Sequence, residues 1–161
     1  MGSRYIGIDP GRRGAIVAID SSQAVVLAEP LPYVGKVLDG ARVVEWLTEA
    51  VSGYSGEAFA VLEHQQPHRA QGAVSAFTMG RAYGMLEQAL RDVGIRYAVE
   101  RPSKAGWHRV LSGIEGQDAK DRAVLLCQRE LPGLDLYPGR CRKPHDGLSD
   151  AGAIALWAAR R

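Results

Sequence analysis

Four acidic residues stand where the sequence pattern predicts strand ends and a helix start. Asp9 closes an apolar strand pattern just before a Pro-Gly turn, and Glu63 closes a second apolar run. Asp146 and Asp150 lie four residues apart near the start of the last predicted helix, a spacing that puts their Cβ atoms on one face, about 6 Å apart. If that helix packs over the strand ends, the four carboxylates converge.

Such a carboxylate cluster cannot remain fully ionised at neutral pH without cations. Hard divalent ions that prefer oxygen ligands, Mg²⁺ or Mn²⁺, suit it best. Two such ions about 3.5 to 4 Å apart activate water on one side of a phosphodiester and stabilise the leaving oxygen on the other. The acids therefore indicate metal-dependent phosphodiester hydrolysis, with two ions in the site.

Single acids in this set have simpler interpretations. Asp9 precedes Pro10, where a turn-forming aspartate is common. Asp146 stands at a helix start, where free backbone N–H groups and the helix dipole favour an acidic residue. Only the combination of four acids at strand ends and a helix start gives the metal-site interpretation its specificity.

The elements that must position these acids alternate between strands and helices. The order predicts an α/β fold, a mixed sheet with an antiparallel meander at one edge and helices on both faces. The predicted elements are two strands within Tyr5–Asp20, a strand at Ala24–Glu29, irregular chain to Gly40, a helix at Ala41–Val51, a strand at Ala58–Leu62, a helix at Gln71–Val93, a strand at Ile95–Glu100, a short helix with a loop at Pro102–Gly116, a helix from Asp118 to Leu131, an irregular basic stretch at Pro132–Pro144, and a last helix from Asp146 or Gly147 to the end.

The long helix carries an apolar pattern at helical spacing and two glycines four residues apart, Gly80 and Gly84. The glycines indicate either close packing on that face or a break in the helix. The predicted apolar face consists of Val74, Phe77, Met85, Leu86, Ala89, Leu90 and Val93.

Length and composition predict one domain spanning residues 1–161 with an ordinary hydrophobic core, since 46% of the residues are hydrophobic and 24% charged. No apolar run is long enough for a membrane span, and the first residues enter a strand pattern rather than a signal peptide, so the expected location is the cytosol, with an organelle left open. The two cysteines make no disulfide framework. Cys127 is expected in the core. Cys141 and His145 supply too few ligands for a zinc site.

Basic residues are unevenly spread although the net charge is only +2. Residues 101–143 hold nine Lys/Arg against five Asp/Glu, which points weakly to a polyanionic partner and is explained equally well by surface charge. Trp107 is either a base-stacking residue or part of the core. Candidate phosphate contacts are Arg12, Arg13, Arg69, Lys104, Arg109, Arg140, Arg142 and Lys143, with Arg12 and Arg13 favoured because their turn adjoins Asp9.

Ordered motifs give the chain a resemblance to a known family. Gly7–Gly11, Val61–Glu63 and Asp146–Ala151 resemble the motifs of RuvC-type Holliday junction resolvases, in the RNase H-like superfamily. The Asp-Gly-x-x-Asp-Ala form is most similar to phage, poxviral and organellar members, and Phe77–Gly84 and Lys120–Ala123 are also similar to phage and bacterial members.

The resemblance implies a five-stranded RNase H-like sheet, with three strands in an antiparallel meander and two parallel strands. It also implies that Asp9, Glu63, Asp146 and Asp150 hold the metal ions and that Lys120 assists at the scissile phosphate or the leaving group. The implied enzyme is a homodimer in which each subunit cuts one of two opposed strands of a four-way DNA junction. The long helix and its glycine face would contribute to that dimer.

The chain departs from the bacterial pattern at the element that opens the junction. Bacterial members carry an aromatic shortly after the second acid, whereas this chain has Gln65–His68 and reaches no aromatic until Phe77. The candidates for that role are Gln66, His68 or a residue of the dimer partner, and Arg81 is a further candidate DNA contact. The last two acids are four apart rather than three. His145, beside Asp146, is either an aid to the metal site or a solvent-facing histidine.

Other functions stay open on the sequence alone. The same fold and acids serve a nuclease for flaps, branched intermediates or RNA–DNA hybrids. A structure-specific DNA-binding protein without catalysis is a further alternative, which the intact set of four acids disfavours. A sugar or acetate kinase-like fold would need a longer chain and a second phosphate-binding loop.

Overall fold

The computed structural model describes residues 2–67 and 70–161. Within these residues the strands are β1 (Arg4–Asp9), β2 (Ala15–Asp20), β3 (Val25–Pro30), β4 (Tyr33–Val34), β5 (Val37–Leu38), β6 (Ala58–Glu63) and β7 (Arg96–Glu100). The α-helices are α1 (Gly40–Val51), α2 (Ala73–Asp92), α3 (Ala119–Glu130) and α4 (Asp146–Ala159), and a 3₁₀ helix spans Trp107–Leu111.

Five strands form one mixed sheet in the order β3-β2-β1-β6-β7. The pairs β3–β2 and β2–β1 are antiparallel, whereas β1–β6 and β6–β7 are parallel. The predicted meander at one edge and the two parallel strands are therefore confirmed. Alternate residues of β2 enter different cores, with Val17 and Ile19 on the side of α3 and α4, and Ile16 and Ala18 on the side of α1 and α2. Helices thus cover both faces, as predicted.

Helix α4 packs directly on β1 because glycines let the two backbones approach. A Cβ atom at Gly7 of β1 would lie 2.0 Å from the carbonyl oxygen of Ala151, and one at Gly147 would lie 2.1 Å from the carbonyl oxygen of Arg13. Any larger residue at either position would push the helix away from the sheet. These two close approaches fix the start of α4 over the end of β1.

The structure corrects the apolar face predicted for α2 and excludes the predicted alternative of a helix break at the glycines. Val74 is 80% exposed and Phe77 is 72% exposed, so the first half of the predicted apolar face is in solvent, and only its second half, around Leu86 and Leu90, is buried. The helix runs unbroken through Gly80 and Gly84, and neither glycine has a neighbouring atom within 4 Å of where a Cβ would stand. The glycines therefore neither break the helix nor pack against the described part of the chain.

The stretch after β3, predicted as irregular, contains the short β4–β5 hairpin, whose turn places Gly35 at φ +63°. The start predicted for α3 is confirmed, because the Asp118 side chain accepts a hydrogen bond from the Asp121 N–H. Cys127 is buried, as predicted. Among the described residues, no helix is both long and apolar enough to cross a membrane.

Candidate active site

Parallel pairing of β1 with β6 brings the first two acids together. Ile8 pairs with Leu62, so the next residues, Asp9 and Glu63, end neighbouring strands at the same edge of the sheet. One oxygen of Asp9, Oδ1, accepts a hydrogen bond from the Gly11 N–H at 2.9 Å, which holds the carboxylate at the turn. The predicted adjacency of these two strand ends is confirmed.

Helix α4 adds the other two acids from above. Its N-cap is His145, whose Nδ1 accepts a hydrogen bond from the Leu148 N–H at 3.2 Å. Asp146 is thus the first residue of the helix rather than its N-cap, and it lies in the first turn, where the helix dipole favours an acidic residue. Asp150 lies one turn further along and interacts electrostatically with Asp9, Asp146 and Glu63. The four acids predicted from the sequence share one site.

Burial and mutual repulsion make these carboxylates hard to ionise. Burial, then the charges of Asp9 and Asp150, raise the pKa of Glu63 to about 8. Burial, then Asp9 and Asp146, raise the pKa of Asp150 to about 7. Burial is also the main reason that the pKa of Asp9 is raised. These shifts arise first from the burial of the carboxyl groups and second from the repulsion between their charges.

Lys120 is the cation closest to the acids. Its Nζ donates a hydrogen bond to Asp146 Oδ2 at 2.7 Å, and this bond and the Asp146 charge raise the pKa of Lys120. The positive charge of Lys120 also acts on Asp9 and Asp150, lowering the pKa of each. The side chain is 66% exposed, so the ammonium group remains accessible to a ligand that approaches from solvent.

Trp107 makes a contact that the sequence does not predict. Its indole N–H donates a hydrogen bond to Glu63 Oε2 at 3.0 Å, and the residue is only 2% exposed. A buried ring cannot stack on a base from solvent, so the base-stacking interpretation is wrong. The sequence carried one general hint, since a buried indole N–H usually finds a partner. The partner is 44 residues away along the chain.

The donor chemistry of the site fits hard divalent cations, although no coordination group is preformed. Among the described residues, no three His, Cys, Asp or Glu side chains stand close enough to bind one ion together as they are. Lys120 occupies one oxygen of Asp146. Mg²⁺ and Mn²⁺ prefer oxygen ligands, and the site holds four carboxylates. Three of them, Asp9, Glu63 and Asp150, have raised pKa values, so a bound cation would favour their ionised forms.

His145 is not a simple solvent-facing residue. It is partly buried and caps α4. Because its Nδ1 accepts the Leu148 N–H, that nitrogen is already engaged. His145 therefore orients the helix that carries Asp146 and Asp150.

The basic candidates fall into separate groups around the acids. Arg12 and Arg13 are exposed on the turn after Asp9, and Arg12 donates to the Gly35 carbonyl at 3.4 Å. Lys104 and Arg109 line a cavity of about 410 Å³ at the 3₁₀ helix, together with Arg122. Exposed candidates elsewhere are Gln66 after β6, Arg81 on α2, and Arg140, Arg142 and Lys143 before α4; His68 and Arg69 lie outside the described residues.

Solved structures of known proteins share this fold. A structure described as Thermus thermophilus RuvC in complex with Holliday junction substrate aligns with a TM-score of 0.65 and 23% identity, over 95% of this chain and 90% of that one. A second Thermus thermophilus RuvC structure aligns with a TM-score of 0.61 and 22% identity, over 97% and 92%. No protein-family model and no curated protein matches the sequence. The chain has the RuvC fold, as the motif resemblance predicted.

Proposed function

We propose that this protein is a metal-dependent endonuclease that resolves four-way DNA junctions by symmetric phosphodiester hydrolysis, with residues 1–161 as one nuclease domain. The observation that carries the proposal is the cluster of four partly buried acids, Asp9, Glu63, Asp146 and Asp150, beside Lys120. The fold shared with a RuvC bound to a Holliday junction supports the choice of substrate.

In this proposal the four acids would hold two Mg²⁺ or Mn²⁺ ions. When bound, the ions supply an activated water and stabilise the leaving oxygen. The chain's own groups prepare the site for that chemistry. The Gly11 N–H and the Trp107 indole N–H each orient one carboxylate, Asp9 and Glu63 respectively. Lys120 neutralises part of the acidic charge and is exposed enough to donate to a phosphate oxygen.

DNA would be held by the exposed cations on either side of the acids. Arg12 and Arg13 on the turn after β1 are placed to bind the phosphates closest to the site. Lys104 and Arg109, which line the basic cavity at the 3₁₀ helix, would bind phosphates on the other side of Glu63. The segment before α4 adds Arg140, Arg142 and Lys143, and Arg81, Gln66, His68 and Arg69 complete the proposed DNA contacts, with Gln66 or His68 at the junction centre.

A homodimer would place two such sites on one junction. Helix α2 presents an exposed stripe, which we define as Val74, Phe77, Gly80, Arg81 and Gly84, and these residues recur at helical spacing on one side. The stripe combines exposed apolar side chains with glycines that have no neighbouring atoms where a Cβ would stand. Such a surface allows the α2 helix of a second copy to pack closely against it. A two-fold dimer matches the two-fold symmetry of a four-way junction, because each subunit then cuts one of two opposed strands.

The test is cleavage of an end-labelled four-way junction in Mg²⁺, beside duplex, flap and RNA–DNA hybrid substrates of matched sequence. The proposal predicts cutting of the junction alone. Equal cutting of flaps or hybrids would instead establish a broader nuclease. Tight binding of the junction without cutting in Mg²⁺ or Mn²⁺ would establish a non-catalytic junction-binding protein.

A further inference from the structure

The cavity of about 410 Å³ at the 3₁₀ helix has an unusual charge balance. Its lining combines Lys104 and Arg109, which are exposed, with His108 and Arg122, which are partly buried. None of the described residues that line it is acidic. Within the described part of the chain, none of the three cations forms an ion pair with a carboxylate. A cavity that concentrates positive charge in this way suits an anion.

The donor groups of the cavity fit a phosphate group. Two of the cations are arginines, whose planar guanidinium groups can each donate two parallel hydrogen bonds to phosphate oxygens. Arg122 is held in place at the cavity, because its Nε donates a hydrogen bond to the Asp118 carbonyl at 3.2 Å. Ser112, which is exposed, adds a hydroxyl group to the lining. The lining therefore offers both charge and directed donors.

Two aromatic rings connect this cavity to the acids. The imidazole of His108, which lines the cavity, packs perpendicular to the indole of Trp107, with ring centroids 4.4 Å apart and an interplanar angle of 85°. The indole N–H donates to Glu63 Oε2 at 3.0 Å. A change at His108 therefore reaches the carboxylate of Glu63 through a single buried side chain.

The charge on His108 depends on what the cavity holds. Burial, then the charge of Arg122, lowers the pKa of His108, so the imidazole is neutral at neutral pH in the empty cavity. The charged groups that line the cavity with it are Lys104 from the preceding loop, Arg109 from the 3₁₀ helix and Arg122 from α3, all positive. A bound anion offsets these charges, raises the pKa of His108 and favours uptake of a proton from solvent. A charged imidazole attracts an indole ring more strongly than a neutral one.

We propose that this cavity binds one phosphate group, distinct from the phosphate at the acids, and that His108 is a positioning residue that transmits this binding through Trp107 to Glu63. The phosphate belongs either to the backbone of bound DNA or to a free phosphate ester, which present the same chemistry. Occupancy of the cavity would lower the Mg²⁺ concentration that cleavage requires. The link to cleavage rests on the proposed function, whereas phosphate binding by the free protein does not.

The first test titrates inorganic phosphate into the free protein, without divalent cations, at constant ionic strength. Nuclear magnetic resonance follows the indole N–H signals of the three tryptophans and the imidazole nitrogens of His108. We expect the Trp107 signal to move and the pKa of His108 to rise, while the signal of Trp46, in the opposite core, stays in place. His108→Phe keeps a ring against the indole, so it should still bind phosphate but lose most of the movement.

The cations are tested in the same titration. Arg109→Gln should weaken phosphate binding about tenfold, since it removes a charged donor from the cavity. Arg101→Gln is the matched control, because Arg101 is exposed nearby in sequence but does not line the cavity, and it should keep the native affinity. Equal losses in the two variants would mean that phosphate responds only to the general surface charge, which would overturn the proposed site.

The source of the phosphate is tested with junctions that carry one uncharged methylphosphonate, placed in turn at each linkage around the cut. If DNA supplies the group, one position other than the cut linkage should raise the half-maximal Mg²⁺ concentration of the native protein and have no further effect in His108→Phe. If a free ester supplies it, no position should do so, and added inorganic phosphate should lower the Mg²⁺ requirement.

Three results would overturn the proposal while junction cutting by the native protein continued. They are a Trp107 signal that does not respond to phosphate, a response that is unchanged in His108→Phe, and a Mg²⁺ requirement that neither methylphosphonate nor phosphate alters. If the native protein neither binds nor cuts junctions, the proposed function fails. The indole and imidazole signals would then still decide whether the cavity binds phosphate and whether His108 transmits that binding to Trp107.

Discussion

The indole N–H of Trp107 donates to Oε2 of Glu63 at 3.0 Å, from a ring that is almost fully buried. This hydrogen bond favours the ionised form of Glu63 against burial and against the charges of Asp9 and Asp150, all of which raise the pKa of Glu63. It also restricts the rotation of the carboxylate. The 3₁₀ helix that carries Trp107 therefore belongs to the site, although its ring does not face solvent.

Replacing Trp107 by Phe should weaken the affinity of the site for Mg²⁺, so that cleavage requires a higher Mg²⁺ concentration. The variant keeps an aromatic ring in the core but loses the N–H, so Glu63 is less firmly oriented. Loss of such a supporting hydrogen bond typically costs about 10- to 100-fold in metal affinity or activity. The measurement is the cleavage rate as a function of Mg²⁺ concentration, and the half-maximal concentration should rise.

The matched control for that variant is Trp46→Phe. Trp46 is 8% exposed and lies in α1, in the core on the opposite face of the sheet. The Trp46→Phe variant should lose about as much packing as Trp107→Phe, but its Mg²⁺ requirement for cleavage should not change. Equal shifts in both variants would mean that Trp107 only fills space.

Lys120→Met should slow cleavage much more than it weakens junction binding. The Lys120 Nζ donates a hydrogen bond to Asp146, and the same group is exposed to an incoming phosphate. Removing a charged donor aimed at the reacting phosphate costs about 10²- to 10³-fold in rate. Single-turnover cleavage and equilibrium binding of one junction separate the two effects. Arg129→Met removes a cation paired with Glu130 on the same helix and should leave the rate unchanged, so a similar loss there would argue against a specific role for Lys120.

Without divalent cations, the protein should become less stable as the pH rises from 5 to 8. Glu63, with a pKa of about 8, and Asp150, with a pKa of about 7, stay protonated in the folded state over a range where the unfolded chain has already released both protons. The folded state therefore binds more protons in this window, and the free energy of unfolding falls with rising pH. Melting temperatures in a chelating buffer measure the slope.

Added Mg²⁺ should reverse that trend, because a cation favours the ionised carboxylates and binds the folded state. Its stabilising effect should be larger at pH 8 than at pH 5. Glu63→Gln should flatten the cation-free pH profile. A melting temperature that rises with pH in chelator would contradict the assignment of these acids as a repelling cluster.

Phe77→Asp should convert a dimer into a monomer without unfolding the chain. Phe77 is 72% exposed on α2, so the substitution costs little within one chain but places a charge in the proposed helix–helix contact. Sedimentation equilibrium gives the mass, and the variant should nick one strand of a junction rather than two in concert. Val34→Asp, at a site 73% exposed, is the matched control and should keep the native mass. A monomeric native protein would remove the basis for this prediction.

The sheet and the positions of the acids were predictable because their signals are local. Two apolar strands end at Asp9 and Glu63, and Asp146 and Asp150 lie four residues apart on one helix. These local features determine where the four carboxylates lie once α4 packs on β1. The order of the elements predicts the antiparallel meander at one edge, and the motif resemblance adds two parallel strands; the strand order itself comes from the structure.

Other features have no local signal. Helical spacing places Val74 and Phe77 on the predicted apolar face of α2, but the same spacing occurs whether an apolar residue contacts its own core or is exposed, as both are here. The two-residue strands at Tyr33–Val34 and Val37–Leu38 are too short to show alternation. The bond from Trp107 to Glu63 joins residues far apart in sequence, and only the folded chain reveals it.

The most direct test of the central claim maps the cuts at nucleotide resolution in a four-way junction labelled on each strand in turn. The proposed function predicts nicks at matching positions on two opposed strands in Mg²⁺, none in chelator, and none with Asp9→Asn even though that variant still binds the junction. Cutting that persists in Asp9→Asn, or cuts at unrelated positions on single strands, would contradict the claim that these four acids form the active site of a junction resolvase.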